Sequence, residues 1–218
     1  IPIESLTSKA PIYDREWVKK KPQKKSITVK DLKKIKIEDA LIKILSSPNH
    51  SNKSWVTDQY DQSVMCDTIQ KSGSDAAIIR IHNKDKAIAV SVDSSANYCK
   101  SHPLTGGKQI VCENWRNLIT VGAKPLAITN CLNFGNPENK EIMGEFAECL
   151  DGIKEACEFL NYPVVSGNVS FYNGTNKKNI YPTPVIGGVG LINKLSKPLD
   201  HNFKKDNSNI ILIGKTFG

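Results

Sequence analysis

Two short apolar segments in the first half of the chain, residues 75–81 and 87–92, are separated by the polar residues 83–86. Runs of Ile, Val and Ala of this length on either side of a polar turn predict a β-hairpin. The second strand ends on Asp93. The hairpin therefore places a carboxylate at a strand terminus.

Three other segments have apolar residues at helical spacing. The first helix lies within residues 27–46, where residues 39–45 carry the pattern and Pro48-Asn49 ends it. A second helix begins at Gly106-Gly107 and ends at Gly122, a common C-terminal residue. A third runs from about Lys140 to Leu160. The apolar positions of the last two helices are Ile110, Val111, Trp115, Leu118 and Ile119, then Ile142, Phe146, Leu150, Ile153 and Cys157.

Further strands are predicted at residues 125–130, 163–166 and 184–192, with a polar loop at 173–179. We expect the strand at 163–166 to be buried, because it is an unbroken apolar run. Residues 181–191 are rich in glycine without matching a dinucleotide or P-loop fingerprint, so we expect close backbone packing there. The order hairpin, helix, strand, helix, strand, strand is typical of an α+β fold and differs from regular βαβα alternation.

The chain of 218 residues is 39% hydrophobic, enough for one good core, and carries a net charge of +8. Residues 1–50 hold 12 Lys or Arg and 6 Asp or Glu, so they contribute +6 of that charge. The densest part is Lys19, Lys20, Lys21, Lys24 and Lys25. A solvated linker is favoured over a nucleic-acid-binding arm, because neither interleaved aromatic residues nor a known binding module accompanies the lysines.

These patterns divide the chain into three parts. Residues 1–50 are expected to form a Pro- and Lys-rich linker with one helix, and 51–205 an α+β domain. Residues 206–218 are expected to begin a following domain, since 209–218 resemble a strand entering a loop. The chain starts at Ile1 and stops within that strand-like run. We therefore expect it to be a piece of a longer protein.

The six cysteines, at positions 66, 99, 112, 131, 149 and 157, form no CxxC pair. No signal peptide and no apolar run of transmembrane length is found. These features favour free thiols in a reducing cytosol and no membrane association. A nucleophilic cysteine would need a histidine partner, and the four scattered histidines do not supply an obvious one.

Small polar residues follow two of the predicted strands. Ser166, Gly167, Asn168 and Ser170 come after the 163–165 run, and residues 130–138 carry Asn and Gly after the 125–128 run. Glycine lets a backbone approach a phosphate closely, so these clusters indicate a nucleotide or phosphate site at a sheet edge. Asn168 and Ser170 share one side of an extended chain, although an Asx or Ser/Thr turn is an alternative explanation.

A second group of polar residues could bind a metal ion. Asp93 ends its strand, and Glu113 and Asn117 lie one helical turn apart on the 107–121 helix. Carboxylate and amide oxygens suit Mg²⁺, which commonly combines one or two carboxylates with phosphate oxygens. The alternatives are a turn-initiating aspartate and an exposed polar stripe. We expect Asn114 and Arg116 to point away from this group.

A family resemblance is carried by motifs that span nearly the whole chain in order. They are Asp93, Gly106–Gln109, Arg116–Leu118, Asn133–Pro137, Ser166–Asn173 and Pro182–Gly187, with Ala10–Trp17, Ser54–Val56 and Gln59–Asp61 upstream. These segments resemble the phosphoribosylformylglycinamidine synthase family of purine biosynthesis, which belongs to the superfamily of aminoimidazole ribonucleotide synthetase and selenophosphate synthetase.

The resemblance implies an N-terminal-type domain of that superfamily, with a mixed or antiparallel sheet, helices on one face and a sheet that pairs with a related domain into a barrel. It also implies that the whole enzyme is a tandem duplication. This chain resembles the first domain of the second copy, preceded by the linker between the copies.

The implied reaction converts formylglycinamide ribonucleotide, ATP and glutamine-derived ammonia into formylglycinamidine ribonucleotide, ADP and phosphate. ATP and Mg²⁺ are the implied cofactors. The implied partners are a glutaminase subunit or domain and the remaining domains of the enzyme, in the cytoplasm. A self-associated fragment is also expected, because a truncated sheet would expose an edge.

By motif position, Gly167 would approach ATP, Asn168 would bind Mg²⁺ and Ser170 would touch substrate. Asn130 stands where many members have an aspartate that contacts the nucleotide, so its contact would be a neutral one. Asp93, Glu113 and Asn117 resemble ligands of a second, structural nucleotide–Mg²⁺ site. The catalytic histidine of the family belongs to the first repeat, so no catalytic residue is expected here and the fragment should be inactive alone.

Two alternatives remain open from the sequence. The chain could be a non-catalytic repeat that keeps the fold and buries its sheet against the other copy. It could also belong to a sister synthetase. Selenophosphate synthetase would require a nucleophilic Cys or selenocysteine in a Gly-rich N-terminal loop, which the start of this chain lacks.

Overall fold

The computed structural model describes residues 1–19, 21, 35–176, 178–195 and 199–214. Its helices are α1 (Ile37–Leu45), α2 (Ser54–Thr57), α3 (Ala96–Ser101), α4 (Pro103–Thr120) and α5 (Lys140–Leu160). Its strands are β1 (Thr68–Gln70), β2 (Ala77–Arg80), β3 (Ala87–Asp93), β4 (Lys124–Asn133), β5 (Val164–Ser170), β6 (Gly174–Thr175), β7 (Lys178–Asn179) and β8 (Thr183–Ile192). Short 3₁₀ turns lie at Ile3–Ser5, Pro48–His50 and Val64–Cys66.

Within the described residues, six strands form one mixed sheet in the order β1-β2-β3-β8-β4-β5. All neighbouring pairs are antiparallel except β4 and β5, which are parallel and are joined through α5. The predicted hairpin is formed by β2 and β3, with Asn83 at φ 56° in its turn. The α+β class and the mixed sheet are confirmed. β6 and β7 pair separately within the predicted loop at 173–179.

The helices cover one face of this sheet. Helix α4 packs on β3, β8 and β4, and α5 packs along α4. Their apolar stripes form the core together with alternate side chains of the strands, including Ile78, Ala89, Ile110, Val111, Leu118, Ile128, Ile153 and Ile186. Ile119, expected on the buried stripe, is 42% exposed. Helix α4 begins at Pro103, before the predicted Gly106, because His102 caps it by accepting a hydrogen bond from the Thr105 N–H.

The opposite face of the sheet is uncovered by the described residues. Ile88, Val92 and Val189 lie on this open face and are 36%, 68% and 40% exposed. Val90 pairs with Val189, and Ile88 with Leu191, so the apolar side chains form continuous rows across β3 and β8. Such a face is what pairing with another sheet would bury, although barrel formation itself stays a prediction.

The expectation of a buried strand at 163–166 is wrong. β5 is the edge of the sheet and pairs only with β4, and Val164 and Val165 are 44% and 70% exposed. An apolar run by itself does not distinguish a central strand from an edge strand. The strand also continues through Gly167 and Asn168 to Ser170, and β4 continues through Asn130 to Asn133, so neither strand stops where the sequence suggested.

The segments outside the α+β unit contribute little to the core. Helix α1 is amphipathic as predicted, but Leu41, Ile42 and Leu45 on it are more than half exposed. Residues 210–213 are exposed and lie outside the sheet, in contrast to the strand expected there. The predicted lysine cluster falls largely outside the described residues, which include only Lys19 and Lys21 of it. The domain boundaries stay predictions.

All six cysteines are free thiols, and Cys99, Cys149 and Cys157 are buried. Burial raises the pKa of the Cys157 thiol to about 11, so this side chain is a neutral part of the core. No described helix is both long enough and apolar enough to cross a membrane.

Candidate functional site

Three of the sequence-predicted site residues lie in one row across the sheet. Asp93 on β3 pairs with Ile186 on β8, Ile186 pairs with Asn130 on β4, and Asn130 pairs with Gly167 on β5. Because residues in register point to the same face of a sheet, this row faces the helices. Asp93 and Asn130 are two strands apart, about 10 Å at normal strand spacing.

Asp93 is held by side chains from β3 and α4. Its Oδ2 accepts hydrogen bonds from Ser91 Oγ at 2.7 Å and Asn114 Nδ2 at 2.8 Å, and its Oδ1 accepts from Asn117 Nδ2 at 2.8 Å. Hydrogen bonds to a charged group are stronger than neutral ones, at roughly 1.5–3 kcal/mol each. The carboxylate is therefore fixed in one orientation at the end of β3.

Asn114 links this carboxylate to the core. Its Nδ2 also donates to the Ser91 carbonyl at 3.1 Å, while its Oδ1 accepts a hydrogen bond of 2.8 Å from the Tyr162 hydroxyl. Asn114 is fully buried, and Tyr162 is 1% exposed. Burial, and secondarily the negative charge of Asp93, raises the pKa of Tyr162 above its ordinary value, so the phenol stays neutral and donates.

Gly188 makes room for this buried network. A Cβ atom at position 188 would lie 1.9 Å from Asn114 Oδ1 and 2.2 Å from the Tyr162 hydroxyl oxygen. The close approach predicted for the Gly-rich segment 181–191 is therefore confirmed at Gly188, where the amide of Asn114 packs against the strand backbone.

Three of the four predicted metal-binding residues share one cavity, whereas Asn168 lies outside it. Asp93, Glu113 and Asn117 line a space of about 500 Å³ together with the 72–75 loop before β2. The Asn117 side chain donates a hydrogen bond from Nδ2 to Asp93. Its other polar atom, the side-chain oxygen Oδ1, is therefore the one that could bind a ligand. Glu113 is exposed. These hard oxygen donors fit Mg²⁺, which usually needs only one or two carboxylates when phosphates supply the remaining ligands.

Asp75 also lines this cavity and adds a third carboxylate. From the sequence, this residue was predicted only to begin a strand. It follows Gly73, which has φ 100° and lets the loop turn toward β3. No group of three or more His, Cys, Asp or Glu residues arranged for a metal ion occurs among the described residues. The cavity could thus hold a metal together with phosphate groups rather than enclose a bare ion.

The predicted nucleotide-contact residues Asn130 and Gly167 are brought together. A Cβ atom at position 167 would lie 2.0 Å from Asn130 Oδ1 and 2.6 Å from the Asn130 carbonyl oxygen. The missing side chain of Gly167 therefore accommodates the Asn130 amide. The sequence predicted that Gly167 leaves space for a phosphate group. In the structure, the Asn130 side chain occupies this space.

Asn168 and Ser170 lie on the other side of the sheet. They pair with Cys131 and Asn133 and alternate with Gly167, so their side chains face the open face. Ser166 shares that face, since its Oγ donates to Thr129 Oγ1 at 2.8 Å. The sequence grouped Gly167, Asn168 and Ser170 in one site, but a continuous strand separates Gly167 from the other two.

Ser170 belongs to a tight turn at the end of β5. Its Oγ and the Asn173 side chain exchange hydrogen bonds, and Asn173 Nδ2 also donates to the carbonyl oxygens of Ser170 and Phe134 at 3.0 Å. These bonds join two side chains or reach carbonyl oxygens, so they differ from the Asx or Ser/Thr turn given as the alternative for Asn168 and Ser170. Ser170 itself is half-exposed at the surface.

The role of Asn114 was not predicted from the sequence, because its side chain was expected to point away from Asp93, Glu113 and Asn117. The signal was present, since Asn114 lies between Ile110, Val111 and Leu118 on the buried stripe of α4. A polar residue on an apolar stripe needs a buried partner. That partner could not be found in the sequence, because Tyr162 is 48 residues away.

The same α+β unit is recognised when the chain is compared with known proteins. Residues 73–192 match the family described as AIR synthase related protein, N-terminal domain, and these residues include β2–β8 and the whole Asp93 row. The chain belongs to this family. Both the Asp93 cavity and the Asn130–Gly167 contact lie within the residues that match this family.

Two relatives illustrate the likeness, one of them in two solved structures. The chain is 55% identical over 219 residues to the phosphoribosylformylglycinamidine synthase subunit PurL of Pelagibacter ubique, covering 100% of this chain and 30% of that protein. It resembles Thermotoga maritima PurL complexed with ADP, with a TM-score of 0.64, 31% identity and coverage of 85% of this chain and 29% of that one. T. maritima PurL complexed with FGAR gives a TM-score of 0.59 and 38% identity, covering 66% of this chain and 23% of that one. The chain thus spans less than a third of these relatives.

Proposed function

We propose that this chain is the nucleotide- and magnesium-binding part of an ATP-dependent ligase of purine biosynthesis. The whole enzyme would convert formylglycinamide ribonucleotide and glutamine-derived ammonia into formylglycinamidine ribonucleotide. The observation that carries the proposal is the cavity in which Asp93, Glu113 and Asn117 meet the 72–75 loop. The PurL relatives complexed with ADP and with FGAR support the two ligand classes.

In this proposal the Asp93 cavity holds Mg²⁺ and the phosphates of a nucleotide. Asp93, Glu113 and Asp75 would supply negative charge, and the Asn117 carbonyl a neutral oxygen. Mg²⁺ would neutralise charge on the phosphates. Asn114 and Ser91 would keep the Asp93 oxygens oriented, since their hydrogen bonds already fix that carboxylate.

A separate role is proposed for the β4–β5 side of the sheet. Asn130 would hydrogen-bond a ribose or purine edge beside Gly167, whereas Asn168 and Ser170 on the open face would contact metal and substrate. Because the two pairs lie on opposite faces, we propose that they serve different bound groups. The open-face group would be completed by another domain that packs against the sheet.

The wider setting belongs to the same proposal. Residues 1–50 would be the linker between repeats, 51–205 the nucleotide-binding domain and 206–218 the start of the next domain. The remaining domains and a glutaminase would complete the enzyme in the cytoplasm. We assign no catalytic residue to this chain and expect it to have no turnover by itself.

Calorimetric titration with ATP and ADP, with and without Mg²⁺, tests the proposal. We expect binding that depends on Mg²⁺ and is weakened at least about fivefold by Glu113→Gln, which removes one charge without changing size. Asn168→Ala tests the open-face ligand in the same assay. Glu141→Gln, an exposed change on α5, is the matched control and should leave affinity unchanged.

Equal binding by the Glu113→Gln and Glu141→Gln variants would contradict the assignment of the cavity. Binding by the complete enzyme but not by this chain would show that other domains complete the site. If neither binds, the proposal fails and a structural role is favoured. The exposed apolar rows of the open face support that second candidate, a repeat that serves mainly to bury its sheet against a related domain.

A further inference from the structure

The N-terminal strap, residues 14–18, lies against the start of α5. The Val18 N–H donates to the Lys140 carbonyl at 3.2 Å, and Glu16 forms an ion pair with Lys140. A Cβ atom on Gly144 would lie 1.9 Å from the Val18 carbonyl oxygen. The strap therefore packs directly on helix backbone at a position that only glycine leaves open, and this contact fixes where Arg15 is placed.

Arg15 reaches from the strap to the end of β5. Its Nη2 donates to the Tyr172 hydroxyl at 3.4 Å, and that hydroxyl donates to Glu138 Oε1 at 3.2 Å. Arg15 also stacks over the Tyr13 ring, with 5.0 Å between its Cζ atom and the ring centroid. The half-buried guanidinium thus joins the strap to a tyrosine 157 residues away.

Tyr172 lies within the Ser170 turn, residues 170–173, in a conformation that requires support. It has φ 60°, which is uncommon for a bulky residue and costs about 1–3 kcal/mol. Two hydrogen bonds stabilise the turn from its own neighbourhood: the Tyr172 N–H donates to the Gly135 carbonyl at 3.0 Å, and Asn173 Nδ2 donates to Ser170 Oγ. A third contact connects the turn to the strap, since the Tyr172 hydroxyl accepts a hydrogen bond from Arg15.

We propose that Arg15 is a positioning residue that holds the Ser170 turn in its binding conformation, so that the N-terminal strap forms part of the substrate site. This inference rests on the proposed function, because Ser170 is assigned there to substrate contact. The packing of the strap on Gly144 and Lys140 then determines the position of the Tyr172 hydroxyl. Through the turn, it also determines the position of the half-exposed Ser170 hydroxyl.

The first test measures hydrogen exchange at the Tyr172 and Asn173 amides in the complete enzyme. Arg15→Ala should speed exchange at both amides at least about threefold, because a lost hydrogen bond of ordinary strength corresponds to a factor of about 2 to 12. Arg15→Lys, which keeps the charge, should restore part of the protection. Lys9→Ala, which removes an exposed ion pair with Glu4 in the same terminal region, is the control and should change neither amide.

The second test follows turnover of formylglycinamide ribonucleotide. Loss of positioning at a ground-state contact should raise KM about three- to tenfold in Arg15→Ala while kcat changes less than twofold. Tyr172→Phe should have the same effect. The double variant should be no worse than either single variant, because both act through one hydroxyl.

Unchanged exchange at both amides in Arg15→Ala would overturn the inference, as would strictly additive effects in the double variant. If Arg15→Ala lowers the protection of all amides, Tyr172→Phe decides, because it removes only the bridging hydroxyl and keeps the ring. If the complete enzyme has no activity on this substrate, the proposed function is wrong. The exchange data then still decide whether Arg15 holds the turn.

Discussion

The amide of Asn114 donates a hydrogen bond of 2.8 Å to the Asp93 carboxylate and is itself fully buried. This one contact connects the candidate ligand site at the end of β3 to the core, since the other end of Asn114 accepts from Tyr162. Ligand affinity and folding stability should therefore be coupled through this network. Changes that displace Asn114 are expected to affect both.

Gly188→Ala should destabilise the protein by about 2–4 kcal/mol, because its Cβ would overlap both Asn114 Oδ1 and the Tyr162 hydroxyl. Gly187→Ala is the matched control on the same strand. Its Cβ would lie 3.0 Å from the end of the Thr129 side chain, which can move, so less than about 1 kcal/mol is expected. Urea unfolding of the two variants measures the difference, and equal losses would contradict the steric explanation.

The buried phenol of Tyr162 predicts a specific loss of stability at high pH. Its pKa is raised in the folded state, so above about pH 10 the unfolded chain releases this proton while the folded chain keeps it. The contribution of the protonated Tyr162 phenol to the free energy of unfolding is fully present below that pH. It is lost as the pH rises, at about 1.4 kcal/mol per pH unit. The stability difference between wild type and Tyr162→Phe should therefore shrink between pH 9 and 11.

Tyr60→Phe provides the comparison for the phenol, since Tyr60 is 71% exposed. Urea unfolding of both variants over the same pH range separates the loss of a buried phenol from the loss of an exposed one. A stability difference between wild type and Tyr162→Phe that does not change with pH would show that the buried phenol does not contribute to the alkaline loss.

Gly167→Ala should weaken nucleotide binding at least about threefold and destabilise the fold by about 1–3 kcal/mol, since its Cβ would displace the Asn130 amide. Asn130→Ala should weaken binding with a smaller loss of stability. Val165→Thr, an isosteric change at an exposed position of the same strand, should alter stability by less than about 0.5 kcal/mol. Full nucleotide affinity in Gly167→Ala, measured by calorimetry, would remove Asn130 from the site.

The open face predicts self-association of the isolated chain. Val92→Asp combined with Val189→Asp should shift the chain toward a monomer, because each places a charge at an exposed apolar position of the open face, which association would desolvate. Phe159→Asp is the matched control, an equally apolar-to-charged change at an 88% exposed position on α5. Light scattering measures the mass, and a wild-type monomer would contradict the prediction.

Local patterns in the sequence determined most of the elements. Helical spacing located α4 and α5 to within a few residues, and apolar runs located β3, β4 and β8, since both periodicities depend only on neighbours along the chain. The resemblance implied that Asp93, Glu113 and Asn117 share one site and that Asn130, Gly167, Asn168 and Ser170 contribute to another. The structure brings the first group together. Of the second group it brings together Asn130 and Gly167 but places Asn168 and Ser170 on the other face, and all the binding roles stay predictions.

Tertiary structure decided what depends on distant partners. The edge position of β5 and the placement of Asn168 and Ser170 on the face opposite Asn130 follow from strand pairing, which no local pattern specifies. The role of Asn114 required Tyr162, and the strap required Tyr172, each many residues away. Sequence periodicity thus located the elements and most of their apolar positions, whereas only packing determined which polar side chains are buried and what each face contacts.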